Sequence, residues 1–180
     1  MPSVPKALRS WLLLAAGFVA VLKAADRVPA VLAGTPHGAR VYGSVAEAER
    51  AIGASIWVPS SYPESLAWPP SRVDAWPGPP TSVAIHVKAR SDGRERFVLV
   101  QSIGAPAAAP AVLLEPVEVL MTLAVPIGRQ KAALARVVAP GGQVLHDLSW
   151  DEGSRRLTMR YAGPVEELLL IAASLERTHP

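Results

Sequence analysis

LHDLSWDEGSRRLTMRYAGPVEELLLIAASLER, residues 145–177, decides the fold, because a hairpin pattern runs straight into a helical one. Asp151, Glu152, Gly153 and Ser154 are turn formers. Counting outward from them sets Trp150 opposite Arg155, Leu148 opposite Leu157, His146 opposite Met159 and Val144 opposite Tyr161. That face is nearly all apolar. The alternate face pairs Leu145 with Arg160, Asp147 with Thr158 and Ser149 with Arg156, so a slip of one residue would push polar groups into the core.

Beyond Tyr161, Gly163 and Pro164 mark a helix start, since proline at the first helical position sacrifices no hydrogen bond. Glu166 and Glu167 fall in the first turn, where unpaired N–H groups favour negative charge. Val165, Leu168, Leu169, Ala172 and Leu175 recur at helical spacing as one apolar stripe, with Glu176 and Arg177 at the polar end. The stripe is expected to pack on the Trp150 and Leu148 face of the hairpin.

The same residues carry a resemblance. Leu148, Ser149 and Trp150, the acidic turn at Gly153, the strand ending at Tyr161, and the helix with Glu166, Glu167, Leu168 and Leu169 that closes on Ile171, Ala172, Ala173, Ser174 and Leu175 resemble the C-terminal signature of the family called domain of unknown function 4367. That family is similar to the extracytoplasmic parts of bacterial anti-sigma factors and to regions found beside lipoprotein-carrier-like modules. The resemblance implies a regulatory or sensing role outside the cytoplasm.

Composition bounds the rest. Half of the 180 residues are hydrophobic and 18 % are charged, which suits a globular domain preceded by a targeting segment. Eighteen prolines, against an average usage of ~5 %, imply rigid loops between short strands. The net charge of +3 comes from scattered arginines with no basic run, so no nucleic-acid partner is expected. Cysteine is absent, which excludes disulfides, thiolate metal sites, a cysteine nucleophile and a lipid-anchoring cysteine.

Residues 1–33 read as a signal peptide or signal anchor with its linker. Lys6 and Arg9 precede an uncharged run from Trp11 to Leu22, which as a helix spans ~18 Å, short of the ~30 Å hydrocarbon core. A signal-peptide core fits that length better than a full span, an uncleaved anchor is the variant, and a buried core helix is the bland alternative. Either targeting reading places residues 34–178 outside the cytoplasm, secreted, periplasmic or membrane-anchored.

From Gly34 to Gly43 the chain reads as linker. Ser44 followed by Glu47 is a capping box opening a short helix with Val45, Ala48, Ala51 and Ile52 on one face, ended by Gly53. Ile56 to Val58 suit a strand, and Pro59, Pro63, Pro69 and Pro70 impose an extended loop. The resemblance extends to this helix, apolar triplet and proline-flanked Ser60, Ser61 and Tyr62. Arg72–Trp76 and Thr81–Ala89 read as strands, the second pairing with Arg96–Ser102 across the Asp92-Gly93 turn. Counting from that turn puts Val83, Ile85, Val87, Val98 and Val100 on one face, and Ala84, His86, Lys88, Phe97 and Leu99 on the other. An alanine-proline loop covers 105–111. Val117–Leu120, Thr122–Val125 and Ala133–Val138 are candidate strands, and the family resemblance implies a glycine-centred turn near 120–124 that this sequence lacks.

Chemistry-bearing patterns are sparse. His37, His86, His146 and His179 lack partners at ligand spacing, and no nucleophile elbow or phosphate-cradling glycine loop occurs, so neither a metal, a cofactor nor an enzymatic activity is expected. His146 beside Asp147, Asp151 and Glu152 suggests an acid-base cluster, against the simpler reading of a face-packed histidine and a solvated acidic turn. Trp57, Tyr62, Trp68 and Trp76, interleaved with prolines, are the candidate binding surface for a peptide or lipid. The alternative is that these rings close the open end of the sheet.

The expectation is therefore an α+β domain: an antiparallel sheet with a short N-terminal helix and a C-terminal helix packed on it, preceded by a signal or anchor helix. The function implied is a non-enzymatic extracytoplasmic interaction or sensor domain, engaging an envelope or membrane protein. Few residues precede the apolar run, so anti-sigma-type regulation would work through that partner. A lipid or lipoprotein carrier is the alternative.

Overall fold

Among the described residues, the β-strand, helix and turn signals resolve into an eight-stranded antiparallel sheet that carries two short helices on one face. The structure, a computed structural model, describes residues 39–78, 80–104 and 114–177. Residues 1–33, read as a targeting segment, and 105–111, read as an alanine-proline loop, lie outside the described residues.

In chain order the elements are β1 (Arg40–Tyr42), α1 (Val45–Ile52), β2 (Trp57–Pro59), β3 (Arg72–Trp76), β4 (Thr81–Lys88) and β5 (Glu95–Ile103). Then follow β6 (Glu118–Ile127), β7 (Gln130–Val138), β8 (Val144–Glu152), β9 (Arg155–Tyr161), α2 (Val165–Ala173) and β10 (Leu175–Arg177). The large sheet runs β1-β3-β4-β5-β9-β8-β7-β6, and β10 pairs with β2 in a separate two-stranded ribbon. Two expectations change here. Arg40–Tyr42, read as linker, is an edge strand on β3. Leu175, Glu176 and Arg177 leave the helix after Ser174 and pair with Pro59, Val58 and Trp57, because β2 offers an unpaired backbone where the helix ends.

Local chemistry sets α1 as anticipated. The Ser44 hydroxyl accepts from the Glu47 N–H at 3.3 Å, Glu47 reaches back to the Gly43 N–H at 3.1 Å, and Gly53 closes the helix at φ 67°. In the final hairpin, Gly153 at φ 62° and Ser154 form a two-residue turn, with Glu152 opposite Arg155. Trp150 therefore faces Leu157, and Leu148 faces Met159, two residues from the expected register. The faces are preserved because the pleat repeats every two residues. Charge favours the observed register: it sets Asp147 across from Arg160 and Asp151 across from Arg156, each pair joined by two hydrogen bonds.

The β4–β5 hairpin departs further. A bulge between Val87 and Lys88 moves the register, so Val87 faces Phe97 and Ile85 faces Leu99. Phe97 and Leu99 thus share the face of Val83, Ile85 and Val87, while Val98 and Val100 join Ala84 and His86 on the other. Counting from Asp92-Gly93 assigns the opposite faces because it passes through the bulge without registering the extra residue.

The core fills the inner face. Ile85, Phe97, Leu99, Leu148, Trp150, Leu157, Met159 and Tyr161 from the sheet meet Ala48 of α1, Ile56, Leu66, and Leu168, Ile171 and Ala172 of α2. Leu175 and Leu169 pack at its border. A smaller cluster on the outer face joins Ala84, Val98 and Val100 under Trp76 and Leu114. The two candidate strands before Gly128 are one, β6, interrupted by a bulge at Leu120, and its turn lies at Gly128-Arg129.

Candidate functional site

The four aromatic residues with a binding signature occupy three places. Trp57, on β2, is held by its backbone: its N–H donates to Gln101 Oε1 at 2.9 Å, and its carbonyl accepts from Gln101 Nε2 at 2.6 Å. The Arg155 guanidinium lies over its ring, 5.2 Å from the centroid. Tyr62 and Trp68 stack at 4.4 Å with planes 21° apart, on the proline loop. Burial pushes the Tyr62 hydroxyl pKa up, and that oxygen has no hydrogen-bond partner among the described residues. Trp76 covers the small cluster on the outer face, away from the other three. The structure brings Tyr62 to Trp68 and separates the rest. The signature residues Leu148, Trp150, Tyr161 and Leu168 are core, Gly153 is the turn, and Leu175 sits on β10.

A buried arginine is the feature that sequence reading missed. Arg155 donates to Gln101 Oε1 at 2.7 Å and to the Ser55 carbonyl at 2.8 Å. Its partners come from distant segments, so no local pattern announces it.

The imagined acid-base cluster does not assemble. His146 Nδ1 lies 3.0 Å from the Gly163 carbonyl oxygen, and Asp147 and Asp151 are each engaged by arginine. Arg156 beside Asp151 holds its carboxyl below the usual carboxylate range.

A polar cleft of about 450 Å³ opens on the outer face, lined by Arg72, His86, Glu95, Arg96, Glu115 and Arg160 among others. Several of its charged groups are paired. His86 Nδ1 lies 2.7 Å from Glu95 and Nε2 3.4 Å from Asp74, Arg72 binds Asp74, and Arg160 binds Asp147 and the Glu115 carbonyl. The His86 hydrogen bond holds the Glu95 carboxyl below its ordinary range. Arg96 adds a further cation, donating to the Ala162 carbonyl at 3.1 Å and lying 3.9 Å from Asp92, while Asp74 Oδ1 and His86 Nε2 are buried with no hydrogen-bond partner among the described residues. Among the described residues, no group of three or more His, Cys, Asp or Glu is placed to hold a metal.

The most unusual surface is the β6 end of the sheet. Among the described residues, β6, ten residues long, terminates the sheet and exposes Val119, Leu120, Met121 and Leu123 at 58, 52, 49 and 48 %. Through β7, Leu123 and Met121 belong to the core-side face while Thr122 and Ala124 belong to the outer one. A long, apolar, unpaired edge is a liability in a protein that stays alone and an asset in one that pairs. One sequence signal points here: VLMTLAV, residues 119–125, is apolar throughout except for Thr122. Compared with known proteins, the chain matches no family model, no curated protein and no solved structure.

Proposed function

We propose that this chain is a non-enzymatic interaction or sensor domain, held outside the cytoplasm by its N-terminal segment and acting in anti-sigma-type regulation through a protein partner. The observation that carries the reading is the β6 edge, whose apolar residues and free backbone are suited to receiving a strand from another protein. The inner face supports it too: Phe97, Trp150, Met159 and Tyr161 fill the space a carrier would keep for an acyl chain.

Photo-crosslinking from position 120 of the full-length chain in its native envelope tests this. A protein adduct is expected. Lipid adducts alone, with stoichiometric lipid in an organic extract of the purified chain, would overturn the reading and promote the lipid or lipoprotein carrier. The placement has its own check: residues 1–35 fused to a periplasm-dependent reporter should give an active reporter, and an inactive, cytoplasmic fusion would refute it.

A further inference from the structure

The backbone of β6 narrows what can pair with it. Gly128 and Arg129 form a two-residue turn closed by Ile127 and Gln130. Met121, Leu123, Val125 and Ile127 therefore direct their N–H and C=O groups at β7, and Thr122, Ala124 and Pro126 direct theirs away from the sheet. Pro126 corroborates this, since a proline fits a ladder only where its nitrogen, which has no hydrogen to donate, faces outward. The open edge thus offers the backbone groups of Thr122 and Ala124, flanked by the unpaired Leu120 on one side and Pro126 on the other. Charge is ordered along it: Glu115 and Glu118 are exposed at its start, Arg129 and Lys131 at its end.

We propose that β6 pairs antiparallel with β6 of a second copy of this chain, about a two-fold axis at Leu123, so that the two sheets become one. The proposal rests on the interaction-domain reading above and names its partner. In this register Thr122 and Ala124 of one copy exchange hydrogen bonds with Ala124 and Thr122 of the other. Leu123 faces Leu123, and Met121 faces Val125. The two interruptions, Leu120 and Pro126, fall opposite each other, where neither breaks a hydrogen-bonded pair of the central ladder. Glu118, set back one position by the extra residue at Leu120, comes beside Ile127 and the Gly128-Arg129 turn of the other copy, acid to base. A parallel arrangement would set Glu118 on Glu118. An unrelated strand would need the reversed charge order, which a second copy has by symmetry. The opposite edge, β1, is three residues long, so pairing closes as a dimer and does not propagate.

The chain has no cysteine, so Leu123→Cys introduces a single thiol at the axis. Facing residues of a non-hydrogen-bonded antiparallel pair have Cα atoms ~4.5 Å apart, inside the ~4.4–6.8 Å range of disulfides. Mild oxidation of the full-length Leu123→Cys protein should convert most of it to a covalent homodimer, whereas Leu170→Cys, on a residue 70 % exposed on α2, should stay monomeric. By sedimentation, Glu118→Lys should weaken dimerisation by about tenfold, and adding Arg129→Glu should restore it. A Leu123→Cys protein that joins a different protein in the native envelope, and not itself, overturns the self-pairing while sparing the interaction reading. One that joins neither overturns both. Dimers that form equally through Leu170→Cys, or that ignore Glu118→Lys, overturn the β6 geometry.

Discussion

Gln101 acts as a strand for Trp57. Its side-chain amide accepts from the Trp57 N–H at 2.9 Å and donates to the Trp57 carbonyl at 2.6 Å, the two bonds a neighbouring backbone would make, across 44 residues of sequence. The same oxygen takes a bond from Arg155. Fully buried, Gln101 thereby ties the β2–β10 ribbon to the middle of the large sheet.

Gln101→Leu keeps the volume and removes all three bonds, leaving the Trp57 backbone and a buried guanidinium short of partners. A loss of about 3 kcal/mol is expected, the sum of polar groups stranded at ~1–3 kcal/mol each. Urea denaturation followed by tryptophan fluorescence measures it; a loss below ~1 kcal/mol would show that water replaces the amide.

Trp150 is buried beneath α2, in the core that holds Leu168, Ile171 and Ala172. Trp150→Ala should cost ~3–5 kcal/mol through the lost contacts and the cavity. Asp151→Ala, one residue along on the outer face, removes an exposed pair with Arg156 and should cost under ~1 kcal/mol. Equal shifts in denaturant midpoint for the two variants would contradict the face assignment.

Tyr161 donates its hydroxyl to Glu167 across the start of α2. Burial, and then that hydrogen bond, push its pKa up to about 12. Its folded pKa lies above the unfolded value of ~10, so the fold favours the protonated form. The associated stability is fully present below pH ~10 and is lost as pH rises towards about 12. Thermal melts from pH 9 to 12 should show a decline that is shallower in Tyr161→Phe; identical slopes would assign the alkaline loss elsewhere, Tyr62 included. Gly163 makes room for this ring, since a Cβ there would fall on Tyr161. Gly163→Ala should accordingly cost ~1–3 kcal/mol.

Legibility differed sharply along the chain. α1 was readable to its caps because each cap is local: Ser44 acts on Glu47 three residues on, and Gly53 on Glu49 four residues back. The inner face of the last hairpin was readable because Leu148, Trp150, Leu157 and Met159 alternate whichever even register is taken. β1 and β10 were not, since three-residue strands exist only by virtue of β3 and β2 beside them. For the candidate site, the apolar run 119–125 was visible, but its position at an open edge was not.

The sequence by itself determined where chain segments turn, which hairpin residues of 144–161 face inward, and where both helices begin, because turns, caps and pleats depend on neighbours a few residues away. Only the tertiary structure decided the β4–β5 faces, the two-residue register of the last hairpin, the burial of Arg155 and the free edge of β6. A bulge costs little locally and is placed by what both strands must pack against. Burying a guanidinium is tolerable only once remote partners supply its hydrogen bonds. Gln101 on β5, and Ser55 and Trp57 at the start of β2, reach Arg155 from two segments remote in sequence, and no spacing along the chain encodes that meeting.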